Sequence, residues 1–205
     1  MFLNLRRTGW LLVLLAGFVS VNAQSSSIDG IDARANSTEL ARQLGSPDPL
    51  MRQKSAEALA RLVAVDQRKI VEGYQLQEKN KDVKLALDWA LYRMGRDEAL
   101  FRIVKELDSG RQQQAIGYLS ELETPDLLYP YFKKTNNAPR VTAGLLKALA
   151  RIGNAETLEM IKPYRESTEP FVAEAAETAS DEIEKRLGES GSSPTPSRPR
   201  TVEKP

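Results

Sequence analysis

The stretch Asp82-Val83-Lys84-Leu85-Ala86-Leu87-Asp88-Trp89-Ala90-Leu91-Tyr92-Arg93-Met94-Gly95 decides how this chain is read. Counted from Val83, apolar or small residues stand at 0, +4, +7, +8 and +11: Val83, Leu87, Ala90, Leu91 and Met94. With 3.6 residues per turn, these positions share one face of a helix. Gly95 follows at +12, where a left-handed residue stops a helix. The spacing recurs at Met51, Ser55, Ala58, Leu59 and Leu62. It recurs again at Val141, Leu145, Ala148, Leu149 and Ile152, with Gly153 at +12. Weaker copies start at Arg111 and Val172, so successive starts are 32, 28, 30 and 31 residues apart.

Each of these helices is preceded by a second apolar segment. The segments are marked by Leu40 and Leu44; by Ile70, Val71 and Tyr74; by Leu100, Ile103 and Val104; by Leu127, Leu128, Tyr131 and Phe132; and by Leu158, Ile161 and Tyr164. Thr124 reads as a cap with Pro125 at the first helical position, and Asn154 opens the last segment. Breakers such as Ser46-Pro47-Asp48-Pro49, Asn80-Lys81-Asp82 and Asn136-Asn137-Ala138-Pro139 separate the members of each pair. No stretch alternates as a strand does. A helical hairpin cannot bury two faces alone, so about five of them are expected to stack into an all-α solenoid.

The second helices resemble the HEAT-repeat family in its short bacterial form, related to bilin-lyase-type repeats. The resemblance is carried by Asp82-Val83-Lys84 with Ala90-Leu91 and Met94-Gly95, and by Pro139-Arg140-Val141 with Ala148-Leu149 and Ile152-Gly153. Met51-Arg52 with Ala58-Leu59 is a further match, and Pro130 and Pro163 sit where that family carries kinking prolines. The pattern covers roughly residues 38–188. It departs at Arg111, where an apolar start is expected, and at Ser180, where Leu is expected. Tetratricopeptide repeats are the rival, but their period is about 34 and their Trp/Gly/Tyr pattern is missing. The HEAT resemblance implies a scaffold or binding surface, not a chemistry.

Residues 1–23 read as a signal peptide: Arg6 and Arg7, the apolar run Trp10–Val21, then Val21-Asn22-Ala23 for cleavage before Gln24. That run is 12 residues long, short of the roughly 20 a spanning helix needs. The expected product is exported, periplasmic or extracellular, with no transmembrane segment after cleavage. Residues 24–36 read as a flexible arm, 37–188 as the folded array, and 189–205 as a Pro/Ser-rich disordered tail carrying Arg198, Arg200 and Lys204.

The 205 residues include no Cys and no His, which removes thiolate and imidazole chemistry. The formal charge is +1, and aromatic residues do not interleave with a basic stripe, so no nucleic-acid partner is expected. No cofactor, metal or catalytic residue is expected either. Residues 154–188 carry nine acids and four bases, whereas 24–153 carry 17 acids and 20 bases. The acidic end reads either as a polar cap or as a dock for a basic segment.

If 0, +4, +7, +8 and +11 point inward, the opposite face falls near +2, +5, +6 and +9. That face carries Leu85, Asp88, Trp89, Tyr92, Ile116, Leu146 and Lys147, the candidate partner-binding residues. An apolar, aromatic stripe on a solvent face marks a recognition site. The alternative is burial of the same residues between neighbouring hairpins. The functional expectation is a non-catalytic adaptor gripping an envelope or secreted protein or peptide. A structural subunit and a lyase-like enzyme are the alternatives.

Overall fold

A computed structural model describes residues 35–132 and 138–191 of the chain, and every regular element among them is helical. Helix α1 covers residues 35–43. Helices α2 (Pro49–Arg61) and α4 (Lys81–Arg93) flank α3 (Arg68–Gln77) in sequence. They are followed by α5 (Glu98–Lys105), α6 (Gln112–Leu119) and the single turn α7 (Tyr129–Phe132). The series ends with α8 (Pro139–Ile152), α9 (Ala155–Ile161) and α10 (Pro170–Gly191). The expected signal peptide, and all of the expected arm except residues 35 and 36, lie outside the described residues. Residues 35 and 36 are already helical, and α10 continues three residues past the expected end at 188.

Short polar side chains start two of the second helices, α2 and α4, and the first helix α9. Asp48 accepts the Leu50 amide at 3.0 Å, with Pro49 at the first helical position. Asn80 accepts the amides of Asp82 and Val83 at 3.0 and 3.1 Å. Asn154 opens α9 with a reciprocal box: its side chain accepts the Thr157 amide while the Thr157 hydroxyl accepts its own. Thr124 does not cap; its backbone is extended as a cap requires, but its side chain makes no capping bond. The segment after it is a 3-10 turn, Pro125–Leu127, followed by α7. Pro163 likewise interrupts its helix. It offers no N–H and crowds the carbonyl four residues back, so α9 ends at Ile161 and Lys162–Glu166 tightens to 3-10.

The stop position differs from repeat to repeat. Gly95 is left-handed, with φ +88°. Val63, at the equivalent +12 position, is also left-handed at φ +48°, although a β-branched residue resists that region. Gly153 is extended instead, at φ −63° and ψ 157°. Its glycine is required for a packing reason: an added Cβ would meet Ile183 Cδ1 and lie 2.7 Å from the Leu149 carbonyl oxygen.

The second helices run parallel, side by side. Gln114 at the start of α6 donates to the Asp82 carbonyl at the start of α4, at 3.0 Å. Gln112 donates to the Arg140 carbonyl at the start of α8, at 3.1 Å. Near its far end, α10 places Arg186 on the carbonyls of Ala150 and Gly153, at 2.9 and 2.7 Å. Helices α2 and α4 pack along their lengths, as do α8 and α10, and α6 links the two pairs. Helix α3 lies behind α4, and α9 behind α10. One continuous apolar core runs from Leu44 to Ile183. Met51 and Leu62, expected in that core, are exposed. They sit on the first pair of helices, which no earlier hairpin covers among the described residues.

The two departures from the repeat pattern are accommodated locally. Arg111 stands just before α6 and pairs with Glu106 at 2.8 Å, outside the apolar face. Ser180 is buried and returns its hydroxyl to the Ala176 carbonyl at 2.9 Å, one turn back.

Candidate functional site

The structure corrects the expected solvent stripe. Leu85, Asp88, Trp89, Ile116 and Leu146 are all buried, from 0% exposure at Leu146 to 9% at Ile116. Tyr92 is half-buried, and of the seven residues only Lys147 is exposed. The reason is geometric. A second helix inside a row has a neighbour on each flank and a first helix behind it. Its buried arc is therefore wider than one apolar stripe. At about 100° per residue, +2, +5 and +9 fall roughly 140–200° from the inward position. That arc is packed. The arc left for solvent is centred on +6 and +10, roughly 240–280° round. Trp89 stands at +6 and is the exception: Tyr92, Tyr118 and Arg93 cover its ring there.

Asp88 shows what the packed arc does. Its carboxylate accepts Gln75 Nε2 at 3.0 Å from α3 and Arg102 Nε at 2.7 Å from α5. Burial pushes this carboxyl above its usual range, and the Arg102 guanidinium and Gln75 amide pull the other way. The residue thus ties α4 to the helices on either side of it. All buried side-chain nitrogens and oxygens among the described residues have a hydrogen-bond partner.

The residues that do face outward recur at +10: Arg61, Arg93, Glu121, Arg151 and Glu182, each of them charged. Parallel helices set them in a row. Sequence reasoning passed over this position because it looked for apolar residues. A charge at the same place in all five copies was the signal available.

Beneath the middle of the row, on α4 and α6, lies an aromatic floor. Trp89 stacks on Tyr118, with ring centroids 5.4 Å apart and planes 1° off parallel. Tyr92 stacks on Trp89 at 5.7 Å and 21°. The Arg93 guanidinium covers Trp89 at 5.5 Å from the ring centroid. Tyr118 donates its hydroxyl to Glu57 at 2.7 Å and accepts from Gln114 at 2.8 Å. Burial drives the Tyr118 phenol far above its ordinary range, with Gln114 pulling down and Glu57 pushing up. It stays a neutral donor.

Three open-sided pockets mark this face. The first, about 250 Å³, lies over Trp89 and Tyr118 and is rimmed by Glu57, Arg61, Gln114 and Glu121. Gly117 keeps it open, for nothing lies within 4 Å of where its Cβ would stand. The second, about 160 Å³, lies at the C-terminal ends of α4 and α6 beside Tyr92, Asp97, Glu121 and Glu123. The third, about 410 Å³, lies between α8 and α10 beside Lys147, Arg151, Thr178, Glu182 and Arg186. Among the described residues, no group of three or more carboxylates, imidazoles or thiols is placed to hold a metal ion. None of their helices is long and apolar enough to cross a membrane.

No family model and no curated protein sequence matches the chain. A crystal structure of an engineered protein is similar over 78% of this chain and 84% of that one, at 21% identity and a TM-score of 0.35.

Proposed function

We propose that the chain is an exported, non-catalytic α-solenoid of HEAT-like hairpins that holds a protein or peptide partner in the envelope across the concave face of its second helices. Support for the solenoid comes from the parallel row α2–α4–α6–α8–α10 with one continuous core beneath it. Support for binding comes from one observation above all: the side chains at +10 form a mixed-charge row over a fixed aromatic floor. Solvent-facing charges by themselves serve solubility; what favours binding is that Arg61, Arg93 and Glu121 rim adjoining open pockets floored by stacked rings. Such a row suits an extended or helical partner with its own charge pattern, because charge register sets orientation and specificity. Export is supported by the leader-like residues 1–23.

The test is affinity capture from envelope extract with the full chain and two charge-reversed variants. Arg61→Glu, Arg93→Glu and Arg151→Glu together invert the cations of the row. Lys69→Glu and Lys105→Glu invert exposed cations on α3 and α5. The row variant is expected to lose at least tenfold in retained partner, and the control variant to retain it. Equal retention by both would place binding elsewhere.

A further inference from the structure

We infer that the acid-lined notch at the C-terminal ends of α4 and α6 seats this chain's own proline- and arginine-bearing segment, residues 194–200. The inference rests on the reading of this face as a binding surface and names an occupant for it.

The notch joins the pocket over Trp89 and Tyr118 through Glu121, which lines both. Across the two, Glu57, Asp97, Glu121 and Glu123 face only two cations, Arg61 and Arg93. The apolar wall of the notch is Tyr92, Leu122 and Leu127. Burial raises the Tyr92 phenol, the charges of Asp97 and Glu123 raise it further, and Arg93 pulls it down. A fitting ligand therefore brings cations together with a compact apolar group and little conformational freedom to lose. Pro194-Thr195-Pro196-Ser197-Arg198-Pro199-Arg200 has that composition. Its three prolines favour an extended polyproline helix, whose rings dock against aromatic walls. Its two guanidinia pair bidentately with carboxylates.

The placement is also right. Helices α6, α8 and α10 run parallel, so α10 ends on the same edge as Tyr92, Glu121 and Glu123. From α10 to α8 to α6 is roughly 16–20 Å at ordinary helix spacing. From Gly191, an extended polyproline path covers about 22 Å to Arg198 and about 28 Å to Arg200.

The absence of native cysteine allows a direct test in the full chain. Gly117→Cys with Ser197→Cys places one thiol in the pocket and one in the segment. Leu76→Cys with Ser197→Cys is the control, since Leu76 is exposed on α3. Intramolecular disulfide formation is measured in a glutathione redox buffer. The pocket pair is expected to show an effective concentration at least tenfold above the control. Adding Arg198→Glu and Arg200→Glu, or raising salt to about 1 M, should remove that excess. Thermal melts check folding, and Gln114→Cys replaces Gly117→Cys if the latter melts early. Equal formation in both pairs, or an excess indifferent to charge, overturns the proposal. Disulfide-linked dimers alone overturn it in favour of a second copy. If crosslinking fails while capture still depends on the charged row, the tail is wrong and the binding face stands. Crosslinking without any capture gives the reverse.

Discussion

Replacing Trp89 with Ala separates an interior aromatic from a ligand-facing one. The indole is 2% exposed and is held between Tyr118 and Tyr92, with Arg93 over its face. Truncating a buried Trp costs about 3–5 kcal/mol, through lost transfer energy and the cavity left behind. Stacked pairs add about 0.5–1.5 kcal/mol each beyond burial, which favours the upper half of that range. For a domain of this size, each kcal/mol lowers the melting temperature by about 2–4 °C. Trp89→Ala should therefore melt about 8–20 °C lower, followed at 222 nm by circular dichroism. Trp89→Phe keeps the stack on Tyr118 and should lose only about 2–8 °C. The folded baseline of both variants should stay helical. A loss below about 3 °C for Trp89→Ala would mean that the indole is not enclosed, because a side chain so buried cannot be removed at that small cost. The indole would then belong to the solvent face expected from the sequence.

Three further outcomes follow from the backbone and the ion pairs. Val63→Gly should raise stability by about 0.5–1 kcal/mol, visible as a higher urea midpoint with an unchanged slope, because it relieves a β-branched residue at φ +48°. Gly153→Ala should lower stability by about 1–3 kcal/mol, since its Cβ would be forced against Ile183 and the Leu149 carbonyl; a neutral result in the same titration would mean that α10 shifts freely. Arg52 donates to both oxygens of Glu78, at 2.8 and 3.0 Å, and holds that carboxyl below its usual range against the upward push of burial. A depressed folded value means stability that is present above the unfolded pKa of 4.5 and is lost as pH falls through the folded value. Glu78→Gln, which loses charge-assisted hydrogen bonds to Arg52, should cost about 1.5–3 kcal/mol near pH 7. It should also flatten the decline in melting temperature below pH 4.5, and a decline as steep as the parent's would remove Glu78 from the acid limb.

How much was legible varies from residue to residue. The helical pairs were legible because apolar spacing, Asn154 and the proline breakers act within a few turns. Gly95 was read correctly as a left-handed stop, whereas the same reading of Gly153 failed, because a residue on α10 sets that requirement. Asp88 was placed on the solvent face because +5 lies opposite the apolar stripe of its helix. Its partners, Gln75 and Arg102, lie 13 and 14 residues away on other helices. The charged +10 row was present in the sequence as a recurrence across five copies, but no single copy distinguished it from any solvated face.

Taken alone, the order of amino acids determined an all-helical chain of paired segments, roughly where those segments lie, and the absence of thiol and imidazole chemistry. These are decided by local hydrogen bonding, φ restriction and the period of apolar residues, all of which act within about a dozen positions. Only the tertiary structure decided which arc of each second helix meets water. A helical wheel shows how wide an apolar face is, but a Trp or Leu at its margin is satisfied equally by a neighbouring helix or by a ligand. The choice falls to whichever surface is already there when the chain folds, and here it was the next helix in the row.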